Sequence, residues 1–163
     1  MDRLVPLAEV IAARLVARGE TIGVAESSTG GLISAALLSV AGASAYYRGG
    51  TVIYTPRARA AIALITKDDM EGLRSASEPY AALLAERVRN QLGSTWGLSE
   101  TGATGPSGNR YGDAAGHSCM AIAGPVTRAV TVETGHGDRH ENMRTFAERA
   151  LVLLAEALEA KSG

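Results

Sequence analysis

The stretch from Thr21 to Leu38 limits the possible folds more than any other part of the sequence. Thr21-Ile22-Gly23-Val24 is short and β-compatible, and Leu32-Ile33-Ser34-Ala35-Ala36-Leu37-Leu38 reads as a helix. Between them lies the polar, glycine-rich turn Ala25-Glu26-Ser27-Ser28-Thr29-Gly30-Gly31. A strand that hands over to a helix through such a turn belongs to a layered α/β architecture. The turn also offers backbone N–H groups at the positive end of a helix dipole, which suit a phosphate, a carboxylate or a developing oxyanion. The same composition serves as a plain helix N-cap, because Ser and Thr favour that position. Composition leaves both readings open.

The rest of the chain repeats the alternation. Leu4, Ala8, Ile11 and Leu15 fall on one helical face, closed by Arg18-Gly19. A helix from Leu32 is expected to end near Val40-Ala41-Gly42, followed by a short irregular piece over Ala43–Tyr47. Gly49-Gly50 leads into the β-branched strand Thr51-Val52-Ile53-Tyr54. Thr55-Pro56 starts a helix carrying Arg57, Arg59, Ile62 and Leu64, and Thr66 caps a short helix over Lys67–Leu73. Ser77-Glu78-Pro79 opens a longer helix with Ala81, Leu84, Ala85, Val88 and Leu92 on one side. Thr95–Glu100 reads as a strand running into the glycine and hydroxyl loop Thr101–Asn109. Gly116–Ala123 and Thr127–Thr134 form a hairpin through Gly124-Pro125, and a last helix runs from about Asp138 to Ala160. Alternating helices and strands with one late hairpin predict an α/β fold with a mixed sheet, in a single domain over residues 1–163.

Composition narrows the function classes. The chain is 46% apolar and 20% charged with a net charge of −1, values of a globular domain with no overall pull toward nucleic acid or anionic lipid. One Phe and one Trp leave the core to Ala, Leu, Val and Ile. The single Cys119 excludes an intramolecular disulfide framework and a multi-cysteine zinc site, and its neighbours place it in a buried strand. No apolar run is long enough to span a bilayer and no leader-like segment opens the sequence, so the expectation is a cytoplasmic protein without a membrane partner.

The candidate site residues sit where strands end. Glu26–Gly31, Tyr54–Arg59 and Thr101–Asn109 all follow strands, and parallel neighbours would bring such turns to one sheet edge, where open α/β folds bind ligands. There is no Walker A sequence, and Gly102, Gly105 and Gly108 do not have the dinucleotide-binding spacing. His136 and His140 lack a third ligand, so no metal is expected. Residues alone point to an anion-binding crevice with hydroxyl nucleophiles.

The order of these segments resembles the CinA carboxy-terminal domain family, whose stand-alone form includes nicotinamide mononucleotide deamidases. The family's glutamate-serine-cysteine-threonine-glycine-glycine turn is similar to Glu26–Gly31, and its glycine-x-serine segment to Gly42-Ala43-Ser44. Its tyrosine-serine-asparagine-x-x-lysine segment is similar to Tyr54–Arg59, its threonine-glycine-x-alanine-glycine-proline loop to Thr101–Pro106, and its glycine-aspartate-arginine to Gly137-Asp138-Arg139. The resemblance implies a three-layer α/β/α sandwich, a homodimer, a small nucleotide substrate, and hydrolysis of its pyridine carboxamide with release of ammonia. It implies no metal or organic cofactor.

On that resemblance the catalytic candidates are Ser27 as nucleophile, with Arg59 and Tyr54. The substrate-binding candidates are Glu26, Ser28, Thr29, Gly30, Gly31, Ser44, Thr101, Gly102, Thr104, Gly105 and Arg139. Backbone N–H groups around Thr29–Gly31 or in Thr101–Gly105 are expected to hold an oxyanion or a phosphate. Three positions depart from the family pattern: Ser28 replaces a cysteine, Pro56 an asparagine and Arg59 a lysine. A serine nucleophile needs a base, and arginine stays protonated, so Arg59 can bind an anion but cannot take the serine proton. Two readings follow: an amidohydrolase in which Glu26 or another group replaces the lysine, or a catalytically silent binding module. A nucleic-acid role, suggested by the family's link to competence and DNA damage, finds no basic patch and no stacking aromatics.

Overall fold

The computed structural model describes residues 1–160. Helix α1 (Val5–Arg18) leads into strand β1 (Ile22–Glu26) and helix α2 (Leu32–Leu38). A 3₁₀ turn at Ala43–Ala45 precedes β2 (Tyr47–Val52) and α3 (Pro56–Ala61). Then follow α4 (Glu78–Leu92), β3 (Trp96–Ala103), β4 (His117–Ala123), β5 (Arg128–Glu133) and α5 (Arg139–Ala160). The five strands form one mixed sheet in the order β2-β1-β3-β4-β5. β1 runs parallel to both β2 and β3, and β3-β4-β5 are antiparallel. The α/β fold and the mixed sheet are therefore as the sequence predicts.

The period-2 alternation of strand side chains sorts the residues into layers. Val24, Leu98, Met120 and Ile122 join the large core with α1, α2 and α5. Ala25 faces Leu84 and Val88 of α4, and Cys119 and Ala121 face Ala81 and Ala85 of the same helix. The sheet is thus covered on both faces, the three-layer sandwich.

Several boundaries differ from the sequence reading. β2 starts at Tyr47, because Gly49 and Gly50 pair with Gly23 and Val24 of β1 and are strand, not lead-in. β3 continues through Thr101, Gly102 and Ala103, whose partners on β4 are Cys119, Ser118 and His117. The glycine loop therefore begins only after Ala103. α2 stops at Leu38 and α3 at Ala61, and Leu64 beyond it has a positive φ of 53°. The segment after Thr66 forms turns instead of a helix, although Thr66 and Asp69 make the reciprocal hydrogen bonds of a cap (2.8 and 3.1 Å).

α4 approaches β3 so closely that Gly97 has no room for a side chain. A Cβ there would lie 1.9 Å from the Ala85 carbonyl oxygen. Gly97→Ala is expected to lower stability by ~3 kcal/mol, since backbone on both sides must give way. Urea denaturation read by far-UV circular dichroism measures it, and an unchanged midpoint contradicts the packing.

Candidate functional site

Because β1, β2 and β3 are parallel, the chain leaves all three at the same sheet edge. Strand alternation then decides which way each side chain turns. Glu26 continues the Val24 side of β1 and Glu100 the Leu98 side of β3, so both carboxylates enter the layer beneath α2. Ser27 and Thr101 fall on the opposite, α4 side.

Both glutamates are fully buried. Glu26 Oε2 accepts from Gly31 N–H (3.0 Å) and Ile33 N–H (3.1 Å), and Oε1 from Ser34 N–H (2.8 Å) and its hydroxyl (2.7 Å). This carboxylate closes the first turn of α2, whose N-cap residue is Gly31 in the left-handed region (φ 101°) and offers no side chain. Glu100 Oε2 accepts from Ser27 N–H (3.2 Å) and Thr29 N–H (2.9 Å). Its Oε1 accepts from the Ser28 hydroxyl and from Ser118 Oγ (3.0 Å). The Thr29 hydroxyl stands between them, 2.7 Å from Glu26 Oε2 and 3.0 Å from Glu100 Oε2. Burial pushes the Glu100 carboxyl above its ordinary range, and the hydrogen bonds from Ser28, Thr29 and Ser118 pull the other way without cancelling it.

These contacts correct the expected role of the turn. The N–H groups of Thr29 and Gly31 are held by Glu100 and Glu26, and that of Gly30 by the Ser27 carbonyl (3.2 Å). The start of α2 is therefore closed by protein carboxylates and is no phosphate or oxyanion site. Glu26, Ser28 and Thr29 are buried beneath the turn, so Glu26 cannot serve as a base in the cleft.

Ser27 turns the other way, into a cleft of about 270 Å³ on the α4 side. Tyr54, Arg59, Thr101 and Gly102 line it with Ser27. Arg59 is half-buried; its Nη1 donates to Ser75 Oγ (3.2 Å) and its guanidinium lies 5.5 Å from the centre of the Tyr80 ring. Among the described residues no carboxylate pairs with it. The guanidinium group has the geometry to bind phosphate or carboxylate through charge-assisted hydrogen bonds.

The other predicted residues divide between the cleft, its supports and the far side of the sheet. Arg139, at the start of α5, donates to the Gly105 carbonyl (2.7 Å) and to Tyr54 Oη (3.2 Å), linking two of the strand-end segments. Thr101 Oγ1 accepts from Ala76 N–H (3.2 Å), so its hydroxyl holds the cleft wall. Thr104 is buried, and its carbonyl accepts from Asn142 Nδ2 (2.8 Å), which also donates to the His136 carbonyl (2.8 Å). Gly30 is exposed and Gly105 buried; neither lines the cleft. Ser44 sits in the 3₁₀ turn before β2, at the opposite sheet edge, outside the cleft. His136 and His140 are exposed, and no metal-binding cluster occurs among the described residues.

Sequence reasoning missed several cleft residues. Ser75, Tyr80 and Tyr111 line it: Tyr80 comes from a segment read as ordinary helix, and Ser75 and Tyr111 from stretches given no element. Arg110 Nη2 donates to Tyr111 Oη (3.0 Å), and the Arg74 guanidinium lies 5.5 Å from the Tyr111 ring centre. Arg74 is anchored by two hydrogen bonds to Asp113 (2.6 and 3.0 Å). The hydrogen bond from Arg110, then that with Ser75, holds the Tyr111 phenol below its usual range despite some desolvation. Glu100 did leave a signal: it is the one charged residue in Thr95–Ala103.

Behind the cleft wall, both ring nitrogens of the buried His117 face acceptors. Nδ1 meets the Glu133 carboxylate and Nε2 the Ala76 carbonyl (2.8 Å), with Asp113 Oδ2 3.7 Å away. Desolvation disfavours the cation, but Glu133, Ala76 and Asp113 outweigh it and leave the pKa raised. The ring thus contacts the Ala76 carbonyl, and the Ala76 N–H reaches Thr101.

Comparison with known proteins gives a consistent result. Residues 4–158 match the profile of the CinA C-terminal domain. A CinA-like protein of Anaeromyxobacter dehalogenans is 38% identical over 152 residues, covering 93% of this chain and 37% of that protein. A CinA-like protein of Gloeobacter violaceus is 42% identical over 130 residues, covering 79% and 30%. The chain thus spans about a third of the length of these curated relatives. The crystal structure of a competence or damage-inducible protein from Enterobacter asburiae superposes with a TM-score of 0.89 at 26% identity, covering 95% of this chain and 98% of that one.

The His117 contacts carry a pH dependence of defined sign. A folded-state pKa raised above the unfolded value of 6.5 contributes stability that is complete below 6.5 and is lost as pH rises through the folded value. The urea midpoint is expected to fall as pH rises from about 6 to 8, and His117→Gln to remove that fall. A wild-type midpoint that climbs over this range contradicts the charged-histidine geometry.

Proposed function

The chain belongs to the CinA C-terminal domain family, and from that premise we propose that it is an amidohydrolase of the nicotinamide mononucleotide deamidase type. It hydrolyses the pyridine carboxamide to a carboxylate and releases ammonia. The observation that carries this reading is Ser27, a strand-end hydroxyl turned into the same cleft as an unpaired, half-buried guanidinium, Arg59. A nucleophile beside an anion-binding group fits a phosphorylated substrate that is held at one end and attacked at the other.

In this reading Ser27 Oγ adds to the amide carbon and its proton passes to a base in the cleft. The carbon–nitrogen bond then breaks, and the proton leaves with ammonia. Water hydrolyses the resulting ester, giving the carboxylate and restoring the Ser27 hydroxyl. Arg59 holds the phosphate and takes no proton. Tyr111 lines the same cleft, and its phenol receives a hydrogen bond from Arg110.

One observation favours a second reading, a ligand-binding module without turnover. Ser27, Arg59 and the other residues lining the cleft include no lysine, histidine, aspartate or glutamate. Ammonia release from nicotinamide mononucleotide separates the two readings. Wild-type turnover well above a Ser27→Ala control supports the enzyme, and turnover no higher than that control overturns it. Arg59→Lys is expected to raise kcat by about 10²-fold by restoring a titratable amine. Arg59→Ala is expected to weaken nucleotide binding by about tenfold in calorimetry, the loss of one charge-assisted contact.

A further inference from the structure

The Thr29 hydroxyl has one proton and two carboxylate oxygens within reach, Glu26 Oε2 at 2.7 Å and Glu100 Oε2 at 3.0 Å. One proton cannot lie on both lines. With it directed along the shorter line to Glu26, the Thr29 oxygen presents a lone pair to Glu100. Two facing lone pairs repel in a dry interior, and a proton on Glu100 turns that contact into a hydrogen bond. No lysine, arginine or histidine among the described residues pairs with either carboxylate.

The groups facing Glu100 are Ser27, Ser28 and Thr29 of the turn and Ser118 of β4, all uncharged, with Glu26 beyond the Thr29 hydroxyl. Of the two acids, Glu26 has the start of α2 and its dipole to favour negative charge. Glu100 instead has neutral hydroxyls and the two backbone N–H groups that fix Ser27 and Thr29.

We propose that Glu100 is a positioning residue for Ser27 that works as a neutral carboxyl, sharing one proton with Glu26 through the Thr29 hydroxyl. Its oxygen sets the peptide on which Ser27 stands, and so sets where the Ser27 hydroxyl enters the cleft. Burial, which raises the Glu100 pKa, is consistent with the neutral form. The role in turnover rests on the amidohydrolase reading, whereas the shared proton and the held turn do not.

Glu100→Gln and Glu100→Asp test it. Gln keeps the length and the neutral state: its oxygen accepts from Ser27 and Thr29 N–H and from the Thr29 hydroxyl, which turns its proton away from Glu26, while its amide faces the Ser28 and Ser118 hydroxyls. Asp is too short to reach the turn. In NMR pH titrations the Ser27 and Thr29 amide shifts of the wild type are expected to follow one ionisation above the ordinary carboxylate range, and to stop doing so in Glu100→Gln. In kinetics Glu100→Gln is expected to stay within about threefold of wild type, and Glu100→Asp to lose about 10²-fold in kcat with little change in KM. Amide shifts that titrate in the ordinary range or below it overturn the neutral carboxyl. A folded Glu100→Gln without turnover shows that the carboxylate itself is required and also overturns it. A Glu100→Asp variant with wild-type kcat overturns the positioning role. If the wild type itself releases no ammonia, the amidohydrolase reading fails. The amide titration then decides the shared proton, and wild-type-like Ser27 and Thr29 amide shifts in Glu100→Asp overturn the held turn.

Discussion

The working edge of the sheet depends on how the first turn of α2 is closed. A helix start leaves backbone donors without partners, and here one carboxylate from the end of the preceding strand takes them. With Glu26 on the donors of α2, the turn between strand and helix cannot coil into a cap of its own. It is drawn across to β3 instead, where Glu100 takes two more of its N–H groups. The outcome for Ser27 is geometric. Its peptide is pinned from below, and its side chain is left on the only side that neither acid occupies.

That arrangement separates charge by layer. The two buried acids lie under the turn, on the α2 side, and the Arg59 guanidinium lines the cleft on the α4 side. The hydroxyls of Ser28, Thr29 and Ser118 stand against the buried acids. The positive charge at the cleft comes from a side chain of α3 and not from a helix dipole.

Much of this was legible in the sequence, because the pattern of strand, turn and helix is local. The alternation of elements gave the layers, and Thr55-Pro56 and Ser77-Glu78-Pro79 marked helix starts that the structure contains at those positions. What escaped was set by contacts distant along the chain. Gly49 and Gly50 look like a loop until β1 is laid beside them. Glu26 looked like a ligand because its partners at Ile33 and Ser34 belong to a helix turn whose N–H groups only the fold directs at it. Ser44 shares a sequence neighbourhood with the site but sits at the other end of its strand. Tyr111 and Ser75 carry no local motif and meet only because Asp113 ties Arg74 across the two loops.

The start of α5 contributes both Arg139, which ties the Gly105 loop to Tyr54, and Asn142, which ties Thr104 to His136. These contacts join residues up to 85 positions apart. During synthesis the Ser27 turn, its strands and the arginine of α3 all leave the ribosome before the helix that clasps them together. The cleft is therefore closed by an element that follows its other parts in the chain, and a nascent chain without α5 has the parts of the site but not their closure.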